Sequence, residues 1–501
     1  MHTFILLWIM NTHIAEPKIS SEGPIDEALS LLADYVNRPL EPSSLSMQTA
    51  RACLADAIGC AILALKYPAC TKLLGPVVAG TVVPDGARVP GTSYILDPIR
   101  AAFNIGTLIR WLDYNDTWLA AEWGHPSDNL GGILAVADYR SRQRVSRSLP
   151  PLFMREVLSG MIKAYEVQGS LALLNSFNKV GFDHVILVKA ATAAVAAHLL
   201  GATRTQIIDA LSQAFIDAGP LRAYRHAPNT GSRKSWAAGD ATSRGVQFAF
   251  MTMQGEMGYR QALTAKKWGL YDVLFKGVPF AFQRPLNSYV MDNILFKISY
   301  PAEFHAQTAV ECAVHLHPAI VGRLDDIVSI HIETHAAAMC IINKTGQLNN
   351  PADRDHCLQY MAALPLLYGT LSADHYEDAA AADKRIDVLR EKMVVTENQQ
   401  FTLDYLDPDK RSIANSMVIH FADGSKTEKV AVEYPLGHRR RRAEGLPLLF
   451  RKLEDNLSTH FSAHKVATLM RLLQDQNTLE DMPVQVFMEL FTEAFSSGKG
   501  S

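Results

Sequence analysis

Strand-like alternation of apolar and polar residues is confined to one part of this chain, and that confinement constrains the fold more than any other feature. Residues 327–335 read IVSIHIETH. Residues 416–435 read SMVIHFADGSKTEKVAVEYP, where Val, Ile and Phe alternate on one arm, Asp-Gly-Ser supplies a turn, and Val430, Val432 and Tyr434 alternate on the other. All the clear strands therefore lie between about Asp325 and Pro435. Elsewhere the period is helical. From Ile25 to Tyr67, Leu54, Ile58, Ala61 and Leu65 share a face and Pro68 ends the run. Further helices are expected over Ala101–Tyr114, Gly131–Tyr139, Met154–Leu173, the Ala-rich run closed by Gly201, Met361–Leu371, and a tail of Leu449–Leu457, Ser462–Leu473 and Val484–Phe495. A chain of 501 residues, 48% hydrophobic, can bury more than one core. The expected fold is mainly α: a large all-helical domain, 1–295 plus 436–501, into which a smaller α+β domain, 296–435, is inserted.

Within the helical part, residues 110–128 read RWLDYNDTWLAAEWGHPSD. Asp113, Asp116, Thr117, Glu122, His125, Ser127 and Asp128 are interleaved there with Trp111, Trp118 and Trp123. Ionisable groups against aromatic surface lose solvent, which moves their pKa values toward the range useful for proton transfer. Gly124 and Pro126 flank His125 and place it on a loop of fixed shape. A capped helix end with a buried, satisfied histidine accounts for any one of these residues; the whole cluster favours a site. His184, at the start of the Ala-rich helix, is held toward its neutral form by the helix dipole. Taken alone it reads as a surface histidine. Asp56 and Gly59 read as a side chain pointing sideways and a close helix contact.

A second run, residues 221–245, brings Arg222, Arg225, His226, Arg233, Lys234 and Arg244 together in a chain of net charge −3. Arginine forks and a lysine point charge suit a polycarboxylate. A phosphate-binding loop is excluded, because Lys234 follows Arg233 and no apolar strand leads in. No broad basic surface points to nucleic acid. Arg439–Arg442 reads as a solvated linker, residues 141–150 as a charged surface loop, and residues 75–98 as an irregular connection. The six cysteines, Cys53, Cys60, Cys70, Cys312, Cys340 and Cys357, include no CxxC pair, so a disulfide framework, a zinc ribbon and an iron–sulfur site are not expected. A reduced, cytoplasmic setting fits. The N-terminal MHTFILLWIMNTH is too short to span a bilayer and has neither a basic start nor a cleavage site, and nothing before Lys18 is Arg or Lys, so neither a membrane anchor nor a mitochondrial presequence is expected and Met10 is a possible start.

Residues 110–128, together with LFKISYPAEFHAQTAVE, AYRHAPNTGSRKSWAAGDATSR and NNPADRDHCLQYM, resemble the MmgE/PrpD family, and the resemblance runs from about Ile25 to the last helices. It implies a pocket between the helical domain and the smaller domain acting as a lid. Positions matching Asp113, Thr117, His125, His184 and Lys234 line it, with His305 and Tyr360 from the lid. The WLAAEWG segment between Thr117 and His125 is longer than in decarboxylase-type relatives and resembles the dehydratase branch. The implied reaction is loss of water from 2-methylcitrate to give 2-methyl-cis-aconitate in propionate breakdown, without metal or other cofactor.

The resemblance and the chemistry together assign proton transfer to Asp113 and His125, with His184 or His305 as the second acid or base. Lys234, Arg222 and Arg225 would bind carboxylates, and Thr117 and Tyr360 would orient the substrate. Which group is base and which is acid stays open. The expected partner is a small tricarboxylate, with no nucleic acid or membrane, in a chain that could form a homodimer as relatives often do. Decarboxylation of cis-aconitate and non-catalytic polycarboxylate binding are the alternatives. A hydrolase with a metal on His125, His184, His226, His305 and His356 lacks any HExxH or HxH spacing.

Overall fold

The computed structural model describes residues 23–226, 228–407 and 409–492. The N-terminal apolar run with Met10, and the end of the last expected helix beyond 492, lie outside the described residues. Among the described residues the chain is mainly helical with two small sheets. The expected run from Ile25 to Tyr67 divides into Glu27–Asn37 and Ser44–Ala64, because Pro39 and Pro42 interrupt the backbone hydrogen bonding. Ser43 starts the second helix by accepting from the Ser46 N–H at 3.0 Å. Ser44–Ala64 has the length and mean hydropathy, 1.2, of a membrane span, but 78% of its most apolar 18-residue window is buried inside the protein. It is a core helix, ringed by Pro98–Arg110, Met154–Leu174 and Arg442–Ser458. Val185–Leu200 likewise has no polar face, since Met154–Leu174, Arg204–Ile216 and Arg233–Met253 surround it.

Two helices that reach the site cross unusually closely. Pro98–Arg110 is started by Asp97, which accepts from the N–H groups of Ile99 and Arg100 at 3.1 and 3.0 Å, with Pro98 in the first turn. It crosses Arg233–Met253 with Gly106 against Gly239, and a Cβ built on Gly239 would lie 2.6 Å from the Phe103 carbonyl. Alanine at an open helical position stabilises by about 1 kcal/mol over glycine, whereas overpacking costs about 1–3 kcal/mol. At 2.6 Å overpacking wins. Gly239→Ala is expected to lower stability in chemical denaturation, and to lower kcat with it, because Arg110 and Lys234 ride on the two helices being pushed apart. A stabilised Gly239→Ala would show that the close approach is not required.

Two apolar cores organise the chain. The first runs through the helices up to Ile298 and takes in Leu449, Leu453, Leu469 and Phe487 of the tail. The second gathers residues from Ala302 to Phe421. Its sheet has the order Met393–Glu397, Ile327–Thr334, Asn415–Phe421, Val430–Val432, the first pair parallel and the others antiparallel. The Ile327–Thr334 strand and the hairpin agree with the sequence reading; Gly424 takes φ +81° in the turn. Met393–Glu397 was not anticipated, being short and reading MVVTE, where three apolar residues in a row show no alternation. Neither was the two-residue pairing of Ala87–Arg88 with Ile95–Leu96 in the segment expected to be irregular.

Three expectations are corrected. Helix Leu130–Ser146 runs on through the stretch read as a loop, because Arg142 is held by Asp138 and Glu489, each at 2.9 Å. The four arginines are not a solvated linker: Arg439 donates to Asn293 at 2.6 Å, Arg441 to Glu311 at 2.9 Å and Arg442 to the Ile294 carbonyl at 2.7 Å. Their stems lie along the protein while their heads find acceptors. Asp56 does not point sideways; it is buried 2.7 Å from Lys452 of the tail, whose ammonium also donates to the carbonyls of Tyr114 and Lys297 at 2.8 and 2.6 Å.

Candidate active site

The loop that follows Pro98–Arg110 is held in shape by its own carboxyl groups. Asp116 accepts from the Ser127 N–H and hydroxyl at 3.1 and 2.7 Å and from the Tyr165 hydroxyl at 2.6 Å. Thr117 exchanges backbone hydrogen bonds with Leu295, and Trp118 with Gly124. Burial raises Asp116 to about 6 and Asp128 and Glu122 to about 7. These are the perturbed carboxyls that the sequence suggested, but none of the three lines the cavity. They set the loop.

Asp113 does line it, and its backbone is unusual, with φ +50°. Lys297 donates both to the Asp113 carbonyl, at 2.7 Å, and to its carboxylate, while Arg110 lies 2.6 Å from the same carboxylate. Burial opposes ionisation of Asp113, but Arg110 and Lys297 outweigh it and hold the carboxyl well below the usual range. A carboxylate so stabilised is a weak base. It serves as the anchor of a buried charge network.

The cavity, about 240 Å³, opens between elements of the two cores. On one wall, His125 Nδ1 lies 2.6 Å from the Asp116 carbonyl, which can only accept, so Nδ1 carries the proton. Its Nε2 then accepts from Arg110 at 2.9 Å. Thr117 Oγ1 lies 3.1 Å from Nδ1 and helps to orient the ring. The histidine is thereby fixed as a neutral imidazole with its lone pair already used. His184 is different: its ring is 5.9 Å from that of His125, it lines the cavity, it is 3% exposed, and neither ring nitrogen has a hydrogen-bond partner among the described residues. Asp183 Oδ1 lies 3.3 Å from its Nδ1 without hydrogen-bond geometry. Burial, together with Arg225, Arg222 and Arg110, pushes His184 well below the ordinary histidine value, although Asp183 opposes this. It is a neutral imidazole facing the cavity. Gly124 makes the room: a Cβ there would lie 3.2 Å from His184 Cδ2.

On the facing wall the sequence expectation shifts by two residues. His305 is fully buried and does not line the cavity; its Nδ1 lies 2.8 Å from Glu303 and its Nε2 3.2 Å from the Tyr405 hydroxyl. Glu303 lines the cavity in its place. The helical turn Phe304–Ala306 directs one side chain inward and the other into the core. Tyr360 also does not reach the cavity. It is buried in the second core, its hydroxyl donating to the His375 carbonyl at 2.9 Å. Lys234 sits one step behind the wall, 2.5 Å from Asp355 and 2.9 Å from Nδ1 of His356, which does line the cavity and whose Nε2 is 3.7 Å from Asp113. Lys234, Asp355 and His356 thus form one buried cluster against Asp113.

The cationic run is divided by the fold. Arg222, Arg225 and His226 line the cavity, whereas Arg233 pairs with Asp240 at 3.1 Å and Arg244 with Asp217 at 2.9 Å beside a different hollow. Arg225 grips Asp183 through two hydrogen bonds. Sequence reasoning gave no role to Arg110, Lys297, Glu303, Asn343, Lys344 or Asp355, and weighed His356 only as a metal ligand. Lys297 had a signal, a lone lysine inside the apolar run LFKIS. Asp113, Asp355 and His356 offer atoms within 4.8 Å of one another, the spacing of a metal site. However, both carboxylates are already neutralised by Lys297, Arg110 and Lys234, which leaves the donor set a poor fit for a cation.

Comparison with known proteins completes this picture. A family model described as the MmgE/PrpD N-terminal domain matches residues 31–283, and one described as the MmgE/PrpD C-terminal domain matches residues 300–476. A 2-methylcitrate dehydratase of Cupriavidus necator is 59% identical over 469 residues, covering 93% of this chain and 97% of the relative. The Salmonella typhimurium protein of the same name is 58% identical over the same shares. A mitochondrial 2-methylcitrate dehydratase of Yarrowia lipolytica is 53% identical, covering 93% of this chain and 90% of that one.

Proposed function

Since the chain belongs to the MmgE/PrpD family, we infer that it is a hydro-lyase, a 2-methylcitrate dehydratase that eliminates water from 2-methylcitrate to give 2-methyl-cis-aconitate in propionate catabolism. The observation that carries the mechanism is the unpartnered, neutral imidazole of His184 in a cavity ringed by cations. The reaction needs a base for the proton beside a carboxylate, an acid for the departing hydroxyl, and positive charge where the carboxylate gathers electron density. His184 takes the proton. His125, locked as one tautomer, presents the Arg110 guanidinium rather than acting as a free base. The Lys234–His356 pair, with Asp355 fixing it, delivers a proton to the leaving hydroxyl. Lys297 and Arg110, though neutralised in part by Asp113, keep the floor of the cavity cationic, and Arg222 receives an outer carboxylate beside Arg225, which Asp183 holds in place. Thr117 and His305 act as positioning residues, the second through Glu303.

Residues 296–435 act as the lid in this reading, with 1–295 plus 436–501 as the body; the second core and the cavity wall it contributes support that division. The chemistry is that of side chains without a metal, supported by the lysines that already occupy the carboxylates of the acidic cluster. The test is to mix chelator-treated protein with 2-methylcitrate and follow the ultraviolet absorbance of the conjugated alkene acid. A rise without release of carbon dioxide is expected. Carbon dioxide released from cis-aconitate, with no reaction of 2-methylcitrate, would move the protein to the decarboxylases. Recovery of unaltered ligand from a saturated complex would make it a binding protein.

A further inference from the structure

Most cations at the cavity are already committed within the protein. Arg110 and Lys297 serve Asp113, and Arg225 serves Asp183. Two are not. Arg222 is 8% exposed, yet its Nε and Nη1 have no hydrogen-bond partner among the described residues, and the Asp183 carboxylate is 3.7 Å away. Lys344, whose side chain is 21% exposed, has its Nζ without a hydrogen-bond partner among the described residues, and the carboxylate it pairs with, Asp353, stands 4.0 Å off. The two come from opposite walls. Arg222 follows the Arg204–Ile216 helix of the first core, and Lys344 follows Ala336–Ile341 beside the second. Arg222, His226 and Lys344 all line the same cavity of about 240 Å³. A cationic group kept from water without an acceptor is unfavourable unless an anion completes it.

We propose that Lys344 is a specificity-determining residue that grips, together with Arg222 on the facing wall, one carboxylate of the tricarboxylate substrate. The identity of that substrate rests on the reading given above; the anion subsite itself rests on the geometry. Lys344 makes no hydrogen bond or ion pair to His184, His356 or Asp113, so it acts on binding and on the choice between tri- and dicarboxylates, and leaves proton transfer alone.

The experiment is calorimetric titration of the full chain with tricarballylate and with glutarate, which has one carboxylate fewer. A charge-assisted contact of this kind corresponds to about 10- to 100-fold in affinity. Lys344→Met is expected to weaken tricarballylate by that factor, to weaken glutarate markedly less, and to raise KM for 2-methylcitrate with little change in kcat, while Lys344→Arg restores most of the loss. Equal weakening of both ligands, or unchanged binding of tricarballylate, would overturn the proposal. The titrations decide it even if 2-methylcitrate proves not to be turned over, so the two failures are separable.

Discussion

Asp113→Asn is expected to lose both activity and stability, with a cost of about 3–5 kcal/mol from leaving buried charge without its partner. Asparagine is the informative replacement because it tolerates the left-handed backbone at φ +50°, whereas alanine would add strain and blur the cause. With the carboxylate gone, Arg110 and Lys297 face each other in the interior, and His356 and Lys234 lose the charge they lean toward. The pH dependence carries a sign. Burial opposes the Asp113 carboxylate and the neighbouring cations overcome that, so its folded pKa lies below the ordinary 3.8. The stabilisation is then full above the unfolded value and lost only as pH falls through the folded one. Chemical denaturation should therefore find a constant gap between wild type and Asp113→Asn from neutral pH down to that ordinary value, narrowing below it. A gap that opens only on acidification would contradict the network.

His184→Ala is expected to behave in the opposite way, with kcat reduced about 100- to 10,000-fold and the denaturation midpoint nearly unchanged. The separation follows from the bonding: among the described residues the ring donates and accepts no hydrogen bond, so little is broken when it is removed, apart from the packing lost at a small buried cavity. Its depressed pKa, from burial first and the nearby arginines next, keeps the imidazole neutral in mildly acid solution. The acid limb of kcat/KM should accordingly fall below the ordinary histidine value of 6.5, not at it. A limb at the ordinary value, or a His184→Ala enzyme of near-normal kcat, would assign the proton transfer elsewhere.

What the sequence disclosed and what it hid divide along a physical line. Strong local signals were legible: the Asp-Gly-Ser turn between alternating arms, the proline-bounded helices, and the loop from Arg110 to Asp128 with its desolvated groups. Direction was not. SYPAEFH contains both Glu303 and His305, and only the turn at Phe304–Ala306 decides that the carboxylate faces the cavity while the imidazole is packed against Tyr405. Tyr360 lies away from the cavity for the same reason, since the face of helix Leu358–Tyr368 that carries it points into the second core. Long-range pairing was hidden as well. Nothing local to Lys297 announces Asp113, and nothing local to Asp355 announces Lys234, because such partners meet only after distant segments have packed.

The buried Lys452 of the tail helix sets a rule of timing. It braces the carbonyls of Tyr114 and Lys297 from beneath, and those two residues flank the anchor of the site. A nascent chain that has left the ribosome as far as His356 already carries every residue that lines the cavity, yet lacks this prop. A fragment cut short before Lys452 would hold every lining residue yet leave the Tyr114 and Lys297 carbonyls without the ammonium that braces them.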